Sequence, residues 1–565
     1  MRFRRNNADG GGWVAVPEHG PEVPWRGLQT GPLTLSDAEI AALCRSLVGC
    51  PPSEIGARAD RILVPAVGDR ARLPAILLHS TTPDLKTFDG DLDALLTGGP
   101  GGDFTTYKEA RSVYLGGPGD IAVGRTDAWQ TAVDALGARA IRLEDCDHYY
   151  LSHALLHLAS KHAESPVPSM TAWIEALRER PRVIRLYAFE LEMQIFLLWL
   201  ARQAGLHELA VEANRASIST DWNRKDVLHP TVDAAATVPA TLRFGGDPFA
   251  LLAAEGQRCE LAERMDLEVP RVPGYTVQRR GRSVDAFVRQ TLDAARWLRE
   301  RHGLELGCFK ASESGDGARI TPGLDLNDGA SLGALARRSF VHGDDYVLEA
   351  HVHYGRATIA GQTLPTALSA HIRGGAVADG ATIQFMEGPS WKGNILLDGD
   401  SAPLFNVPVA TYRRLHGFMR DFHAAFEAKA PGLVLAGLDF AIGTVGGRYG
   451  DKPLLGVQDL NISFTGAECL RAFLDKVRGH SGDSAQGYGV TRIFRPRPTA
   501  DHHDFLRVTR RFIQGHVFAD TVAAIPGRWG MVGITGEDPE DAVRQLNRLH
   551  GALLDADLLL TTTRP

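Results

Sequence analysis

The sequence has no surplus of basic residues and no apolar run long enough to cross a membrane. It carries 61 lysines and arginines against 68 aspartates and glutamates, which gives a formal net charge of −7. Without a basic surplus to neutralise phosphates, nucleic acid is not an expected partner. The most apolar run, Ile195 to Ala201, is too short to span a bilayer, so it predicts a buried helix and no membrane partner. The basic start, Met1 to Asn7, is followed by no apolar stretch, so we do not expect a secretory signal.

Cysteine is scarce, and two common catalytic motifs are missing. No two cysteines form a Cys-x-x-Cys pair, so the sequence predicts free thiols in a reducing cytoplasm and no structural zinc site. There is no Gly-x-Ser-x-Gly sequence to support an esterase and no Walker-type Gly-Lys-Ser/Thr loop. The six cysteines are Cys44, Cys50, Cys146, Cys259, Cys308 and Cys469.

The length and the pattern of elements predict an α/β protein of several domains. A chain of 565 residues exceeds what one hydrophobic core normally organises. Residues 1–55 are rich in glycine and proline and are expected to form an extension. Residues 56–235 alternate strand-like runs, turns and long helical stretches, which is typical of an α/β unit. A further unit is predicted over residues 247–565.

Apolar periodicity and Pro/Gly breaks place the main elements of the last unit. The pattern predicts helices and strands in alternation, and the strands end in glycine-bearing or polar loops. The predicted helices are Pro248 to Met265, Ser283 to Arg301 and Pro408 to Ala428, and the predicted strands include Leu306 to Lys310 and Tyr346 to Val352.

Two apolar, strand-like runs each contain acidic residues. Asp439 lies in Gly437-Leu438-Asp439-Phe440, and Asp459 and Asn461 alternate with apolar residues twenty positions later. Residues two apart in a strand share a face. Acidic groups inside apolar strands cost free energy unless they are paired or bound to metal. If the two runs pair, three oxygen ligands converge, as Mg²⁺ requires when it binds carboxylates together with nucleotide phosphates.

Two further features are ambiguous when each is taken alone. Lys310 ends a predicted strand before a glycine-bearing loop, where a lysine and loop amides can hold phosphate. The alternative is a strand-end lysine beside a surface hairpin. Glu349 lies inside the apolar strand before His351 and Val352, where the backbone can pair with an adenine edge. The alternative is that Glu349 lies on an edge strand with its hydrogen bonds satisfied and has no role in binding.

The order of these elements resembles the ATP-grasp superfamily. The matching order is Lys310 with its loop, then Glu349, then Asp439, then Asp459-x-Asn461, over roughly residues 247–560. The run Gln458 to Gly466 looks most like pheganomycin-type peptide ligases, which carry a pre-ATP-grasp domain. The resemblance implies two α+β subdomains that grip ATP, preceded by the α/β domain at 56–235. It further implies a nucleotide lid at about 275–350, a metal-binding subdomain at about 351–480 and a C-terminal segment, 481–565.

The resemblance also implies roles for particular residues. Mg²⁺ would be held by the three oxygen ligands, and a catalytic lysine and arginine would hold phosphate and steady an acyl phosphate. The implied metal ligands are Asp439, Asp459 and Asn461; the implied catalytic residues are Lys310 and Arg373; the implied ATP-binding residues are Arg258, Lys310, Ser312, Ser314, Gly315, Gly317, Glu349, His351 and Val352.

The sequence departs from the family pattern at three places. The first ATP lysine of the family is absent from its expected neighbourhood, where Arg258 is the replacement. No acid follows the adenine segment at Tyr354-Gly355-Arg356, so the ribose contact is unassigned. The family's Asn-x-Arg is Asn461-Ile462-Ser463 here, which is why Arg373 is proposed for the acyl phosphate. A solvated arginine at a strand end is the alternative.

The implied function is an ADP-forming ligase with ATP and Mg²⁺ as cofactors. A substrate carboxylate would be phosphorylated, and an amine would displace phosphate to form an amide in natural-product peptide biosynthesis. The expected partners are a small-molecule acid and an amine, such as an amino acid or a peptide, with a homodimer left open. The alternatives are a non-catalytic nucleotide-binding protein and a ligase with a thiol or hydroxyl acceptor.

Overall fold

The structure is a computed structural model of the 565-residue chain. It describes residues 34–80, 104–144, 146, 148–229, 232, 272–313, 319–341, 343–388, 390–451, 454–481 and 487–560, and the backbone of short strands at 2–5, 13–16, 23–24, 242–244 and 251–254. The chain divides into two compact units. Unit 1 comprises Met1–Thr220, Glu468–Glu537 and Arg544–Pro565, and unit 2 comprises Asp221–Ala467 and Asp538–Val543. The domain boundaries predicted from the sequence stay a prediction.

The strands of the described chain are, in order, β1 (Arg2–Arg5), β2 (Trp13–Val16), β3 (Val23–Pro24), β4 (Leu63–Pro65), β5 (Ala75–Leu78), β6 (Ile121–Gly124), β7 (Arg139–Arg142), β8 (Val183–Leu186), β9 (Leu209–Glu212), β10 (Leu242–Phe244), β11 (Leu251–Ala254), β12 (Gly274–Val277), β13 (Leu306–Ala311), β14 (Ile320–Asp325), β15 (Tyr346–Ala350), β16 (His353–Tyr354), β17 (Arg356–Ile359), β18 (Gln362–Pro365), β19 (Ala367–Arg373), β20 (Ala376–Val377), β21 (Ala381–Glu387), β22 (Ser390–Leu397), β23 (Ala436–Thr444), β24 (Leu454–Asn461), β25 (Tyr488–Phe494), β26 (Ala519–Ala524) and β27 (Gly530–Gly536).

The helices of the described chain are α1 (Asp37–Val48), α2 (Ile55–Ile62), α3 (Phe104–Val113), α4 (Asp127–Leu136), α5 (Leu151–Glu164), α6 (Pro168–Glu179), α7 (Leu191–Ala204), α8 (Ala216–Trp222), α9 (Val284–His302), α10 (Gly329–Phe340), α11 (Val409–Lys429), α12 (Ala467–Ser481), α13 (His502–Thr509) and α14 (Pro539–Asp555). With the sheets described below, they confirm the predicted mixed α/β class. None of the helices in the described ranges is both long and apolar enough to cross a membrane.

Unit 1 is built on a parallel sheet with the strand order β4-β9-β8-β5-β6-β7. All four residues of β5 and of β6 are buried, as expected when helices cover both faces of a parallel sheet. Helix α7 is apolar on nearly every side and packs against α1, α2, α5 and α6. It contains the run Ile195–Ala201, whose residues are at most 4% exposed, so the predicted buried helix is confirmed. The antiparallel strands β25, β27 and β26 also belong to this unit.

The described part of unit 2 contains two larger antiparallel sheets besides the two-stranded pairs β10–β11 and β17–β18. The first has the order β12-β15-β13-β14 and packs against α9, which in turn packs against α10. The second has the order β16-β23-β19-β21-β22, with β24 paired to β23 and helix α11 against β19. Tyr275, Phe309 and Leu348, each at most 1% exposed, lie in the core beneath the first sheet. Between them the two sheets supply most of the side chains that form the candidate site.

Candidate active site

The two acidic runs form neighbouring antiparallel strands in unit 2. Asp439 of β23 lies opposite Asp459 of β24, and Gly437 lies opposite Asn461. Asn461 Nδ2 donates a hydrogen bond to Asp439 Oδ2 at 3.3 Å. The strand pairing therefore brings together two carboxylates and an amide.

Asp439 is the best-anchored of these three residues. Its Oδ1 accepts hydrogen bonds from the Ser369 hydroxyl and, at 2.8 Å, from Gln384 Nε2. Burial and, next, the negative charge of Asp459 raise the pKa of Asp439 to about 6, although the hydrogen bond from Ser369 and the charge of Lys225 oppose this shift. A divalent cation bound here would relieve the repulsion that the charge of Asp459 exerts on the Asp439 carboxylate.

The backbone of the two strands has two features that shape this face. A Cβ on Gly437 would lie 2.7 Å from Thr465 Cγ2 and 3.3 Å from the His371 ring, so a larger residue opposite Asn461 would force these groups apart. The β23–β24 register also shifts between Asp439 and Phe440, because Phe440 pairs with Val457 and Gln458 is the extra residue. An extra residue in a β-bulge leaves its backbone groups outside the ladder.

Lys310 of β13 reaches this bulge. Its ammonium donates to the backbone carbonyl of Gln458 and forms an ion pair with Glu349 Oε1 at 3.0 Å. Burial lowers the pKa of Lys310, but the charges of Glu349 and Asp459 outweigh this effect and leave the pKa raised. Lys310 is 3% exposed, so it is a buried, charged lysine at the bulge and not a solvated lysine beside a surface hairpin.

Glu349 lies between two basic groups. Besides Lys310, it contacts His229 Nε2 through Oε2 at 3.1 Å, and it is 0% exposed. Burial alone would raise the pKa of Glu349, but Lys310 and His229 lower it below its ordinary value. Gly274 lies opposite Glu349, and a Cβ there would approach Glu349 Cβ to 2.7 Å and the His229 ring to 2.9 Å. Glycine at this position leaves room for the Glu349–His229 pair.

Residues 223–229 supply a second lysine. Lys225 Nζ lies 3.2 Å from Asp459 Oδ2, and the Lys225 side chain is 7% exposed. Asn223 Oδ1 accepts a hydrogen bond from the Ile462 N–H at 2.8 Å, which fixes this segment to the end of β24. The Lys225 N–H donates to Ser312 O at 3.0 Å, and the Ser312 hydroxyl donates to Asp226 Oδ1. The segment therefore joins the metal-ligand strand to the residues that follow Lys310.

The other predicted residues are the hinge after Glu349, Arg373, and four residues outside the described part of the chain. In the hinge after Glu349, the Ala350 N–H donates to Pro273 O at 2.7 Å and the His351 N–H to Leu306 O at 3.0 Å. These two amides are engaged, and Val352, 3% exposed, supplies the next amide along the chain. Arg373 ends β19, four residues or roughly 13 Å along the strand from Ser369. Arg258, Ser314, Gly315 and Gly317 lie outside the described residues.

The donor set fits Mg²⁺ better than a softer metal. Among the described residues, no group of three or more His, Cys, Asp or Glu side chains is placed to hold a metal ion. The set here is instead two carboxylates and one amide, all of which offer oxygen ligands. Without a bound metal ion, Asp439 and Asp459 repel one another. Mg²⁺ is commonly held by one or two carboxylates plus phosphate and water.

Sequence reasoning missed Lys225, Asp226, His229 and Gln458. The signal for Lys225 was weak: Asn223-Arg224-Lys225-Asp226 is a short polar run after a helix, which is also typical of a surface connection. His229 lies far from Glu349 in the sequence, so only the folded chain reveals their contact. Gln458 directly precedes Asp459 in the predicted strand, but a bulge cannot be inferred from alternation alone.

Comparisons with known proteins find solved structures that align with most of this chain at low identity and low TM-score. No protein-family model matches the chain, and no curated protein matches it significantly. Among solved structures, the ADP complex of PurK, an N5-carboxyaminoimidazole ribonucleotide synthetase, aligns with a TM-score of 0.44 and 11% identity over 87% of this chain and 98% of that one. The biotin carboxylase domain of Hydrogenobacter thermophilus 2-oxoglutarate carboxylase, solved with MgADP, has a TM-score of 0.42 and 10% identity over 84% and 88% of the two chains.

A third similar structure is the D-cycloserine synthetase DcsG, with a TM-score of 0.32 and 13% identity over 71% of this chain and 99% of that one. These scores and identities are low.

Proposed function

We propose that this chain is an ATP-grasp ligase that joins a carboxylate to an amine and releases ADP and phosphate. The observation that supports it is the convergence of Asp439, Asp459 and Asn461 on paired strands, with Lys310 and Lys225 beside them. One acidic face and two buried lysines within a single compact unit provide what phosphoryl transfer needs, because that reaction depends on positioning and charge neutralisation.

Asp439, Asp459 and Asn461 would hold Mg²⁺. When bound, the ion neutralises charge on the nucleotide phosphates and acts as a Lewis acid. Ser369 and Gln384 keep Asp439 oriented, since both donate to the same carboxylate oxygen. Because this orientation is already fixed, the site does not need to reorganise during the reaction.

Lys310 and Lys225 would hold phosphate oxygens. In the free chain, Lys310 Nζ lies 3.0 Å from Glu349 Oε1 and Lys225 Nζ lies 3.2 Å from Asp459 Oδ2, so these ion pairs hold both lysines near the proposed metal ligands. Lys225 is also a candidate for the charge that the missing Asn-x-Arg arginine supplies, and Arg373 stays a second candidate. Glu349, His351 and Val352 form the proposed adenine segment.

The proposed reaction needs no covalent protein nucleophile. A substrate carboxylate attacks the γ-phosphate of ATP to give an acyl phosphate and ADP, and an amine then displaces phosphate to form the amide. The acid and the amine are proposed to be amino acids or peptides in a natural-product pathway. A thiol or hydroxyl acceptor would use the same first step.

The test is nucleotide turnover in a panel of amino acids and short peptides with Mg·ATP. We expect ADP release that depends on both an acid and an amine, with loss in Asp459→Asn and retention in Asp421→Asn. Asp421 lies exposed on α11 and serves as the matched control. Tight Mg·ATP binding without turnover across the panel would instead favour the non-catalytic nucleotide-binding alternative.

A further inference from the structure

Unit 2 contains a cavity of about 400 Å³ at the base of the β17–β18 hairpin. Arg356 begins this hairpin and Thr366 follows it, and both residues line the cavity together with Ile442 and Thr444 of β23. Small-molecule sites in proteins enclose roughly 300–1,000 Å³. The cavity is therefore large enough to hold a small metabolite.

Two walls of this cavity lie on the face of the second sheet that is opposite to Asp439. Ser369 pairs with Asp439 and its hydroxyl donates to the Asp439 carboxylate, so these two side chains share one face. Side chains alternate along a strand, and Thr366 and Ile442 each lie three residues from this pair. Both therefore project to the other face, where Phe440 packs against α11. The cavity is thus distinct from the proposed metal site.

A buried hydroxyl without a partner belongs to the cavity wall. Thr366 is 1% exposed, and its Oγ1 has no hydrogen-bond partner among the described residues. Gly355 lies beside it, and a Cβ at this position would approach Thr366 Oγ1 to 3.1 Å. Glycine therefore leaves the space next to the hydroxyl free of side-chain atoms. Because an unpaired buried hydroxyl costs free energy, a ligand that hydrogen-bonds to it would recover part of that cost.

The charged groups of the cavity wall are basic. Arg356 and His353 line the cavity, and no acid does so among the described residues. No ion pair engages the Arg356 side chain within the part of the chain that the structure describes. Asn406 Nδ2 donates to the Arg356 carbonyl at 2.6 Å, which holds the start of the hairpin at the edge of the cavity. This wall therefore favours an anionic group over a cationic one.

We propose that this cavity binds a small molecule through a carboxylate or phosphate group that contacts the Arg356 guanidinium and the Thr366 hydroxyl. The arginine fork matches both kinds of group in a bidentate manner, and the threonine hydroxyl donates one further hydrogen bond. The site goes beyond the proposed nucleotide chemistry and does not depend on it, because neither residue belongs to the proposed metal or ATP site.

The experiment titrates the full-length protein, without nucleotide or Mg²⁺ and at fixed ionic strength, with glycerol 3-phosphate in one arm and malonate in the other. Calorimetry measures the affinity. We expect saturable binding in at least one arm, weakened at least about 10-fold by Arg356→Gln because a charge-assisted contact is lost. The matched control is Arg420→Gln, which removes an exposed arginine of α11 and should bind within about twofold of the wild type.

Thr366→Val tests the buried hydroxyl separately. Valine keeps the branched shape of threonine and removes the hydroxyl, so the affinity should fall about threefold or more through the loss of one hydrogen bond. In the ligand-free protein, the Tm of this variant should stay at or above that of the wild type, because the hydroxyl has no partner to lose. A structural hydrogen bond would instead make the variant less stable.

Three results would overturn the proposal. The first is the absence of saturable binding in both arms. The second is binding that Arg356→Gln weakens no more than Arg420→Gln does, since the anion would then occupy another site, such as that of Lys310 and Lys225. The third is a Thr366→Val variant with a lowered Tm and an unchanged affinity, which would make the hydroxyl structural. The arm that binds decides between phosphate and carboxylate.

Discussion

Replacing Lys225 by Met should make Mg²⁺ bind more tightly while slowing the proposed turnover. The Lys225 ammonium lies 3.2 Å from Asp459 Oδ2, and the two side chains are 7% and 21% exposed. In the metal-free chain this ammonium neutralises part of the negative charge of Asp459, which would otherwise attract the metal ion. Methionine keeps most of the side-chain volume and removes the competitor.

The magnitudes follow from the distance and the burial. At an effective dielectric constant of about 20, charges 3.2 Å apart attract by roughly 5 kcal/mol, most of which the cost of desolvation offsets. We therefore expect the metal-free protein to lose about 2 kcal/mol of unfolding free energy, or roughly 5 °C in Tm for a unit of this size. Mg²⁺ affinity should rise up to about 10-fold, and turnover should fall at least about 10-fold because a cation near the phosphates is lost.

The assay combines thermal unfolding and calorimetry with Mg²⁺ at pH 8, on the wild type, Lys225→Met, Lys225→Arg and the exposed control Lys429→Met. Lys225→Arg keeps the charge and should stay within about 1 kcal/mol of the wild type. If Lys225→Met leaves both metal-free stability and Mg²⁺ affinity at their wild-type values, the Lys225–Asp459 pair does not exist in solution and its proposed role is wrong.

Three further predictions concern single residues. Asp459→Asn should lower turnover by roughly 10²-fold or more with the circular dichroism spectrum unchanged, whereas Asp421→Asn should keep full activity. Lys310→Ala should weaken ATP binding at least about 10-fold by calorimetry relative to Lys429→Ala, and equal affinity would show that Lys310 does not contact the nucleotide. Burial and the charge of Glu192 raise the pKa of Glu190 to about 8. The folded chain then binds this proton more tightly than the unfolded chain, so stability should fall from pH 4.5 to pH 8. Glu190→Gln should reduce that fall by up to several kcal/mol in urea unfolding, and an unchanged pH profile would contradict the assignment.

The parts of the site that depend on strand alternation could be predicted from the sequence. Asp459 and Asn461 share a face because residues two apart in a strand always do, and Asp439 joins them once β23 and β24 pair. The long elements are also close to their predicted bounds: the helix predicted over 283–301 is Val284–His302, and the one over 408–428 is Val409–Lys429. Strong periodicity over many residues explains this success.

Contacts between distant segments could not be predicted. Lys225 and Asp459 are separated by more than two hundred residues, and nothing in either local pattern indicates the other. The bulge at Gln458, which directs its carbonyl to Lys310, depends on a register shift that apolar alternation does not encode. The helix predicted over 248–265 is wrong at Leu251–Ala254, where the backbone forms a strand paired with β10. A short apolar run fits both structures, and tertiary pairing decides between them.

The central claim is that this site directs a substrate carboxylate to the γ-phosphate of ATP. The most direct measurement follows ¹⁸O from a labelled carboxylate substrate during turnover with Mg·ATP and an amine. We predict that ADP and phosphate are released in equal amounts and that the phosphate carries one ¹⁸O atom. Release of AMP and pyrophosphate, with the label in AMP, would show attack at the α-phosphate and would contradict the assignment of Asp439, Asp459, Asn461 and Lys310 to the β- and γ-phosphates.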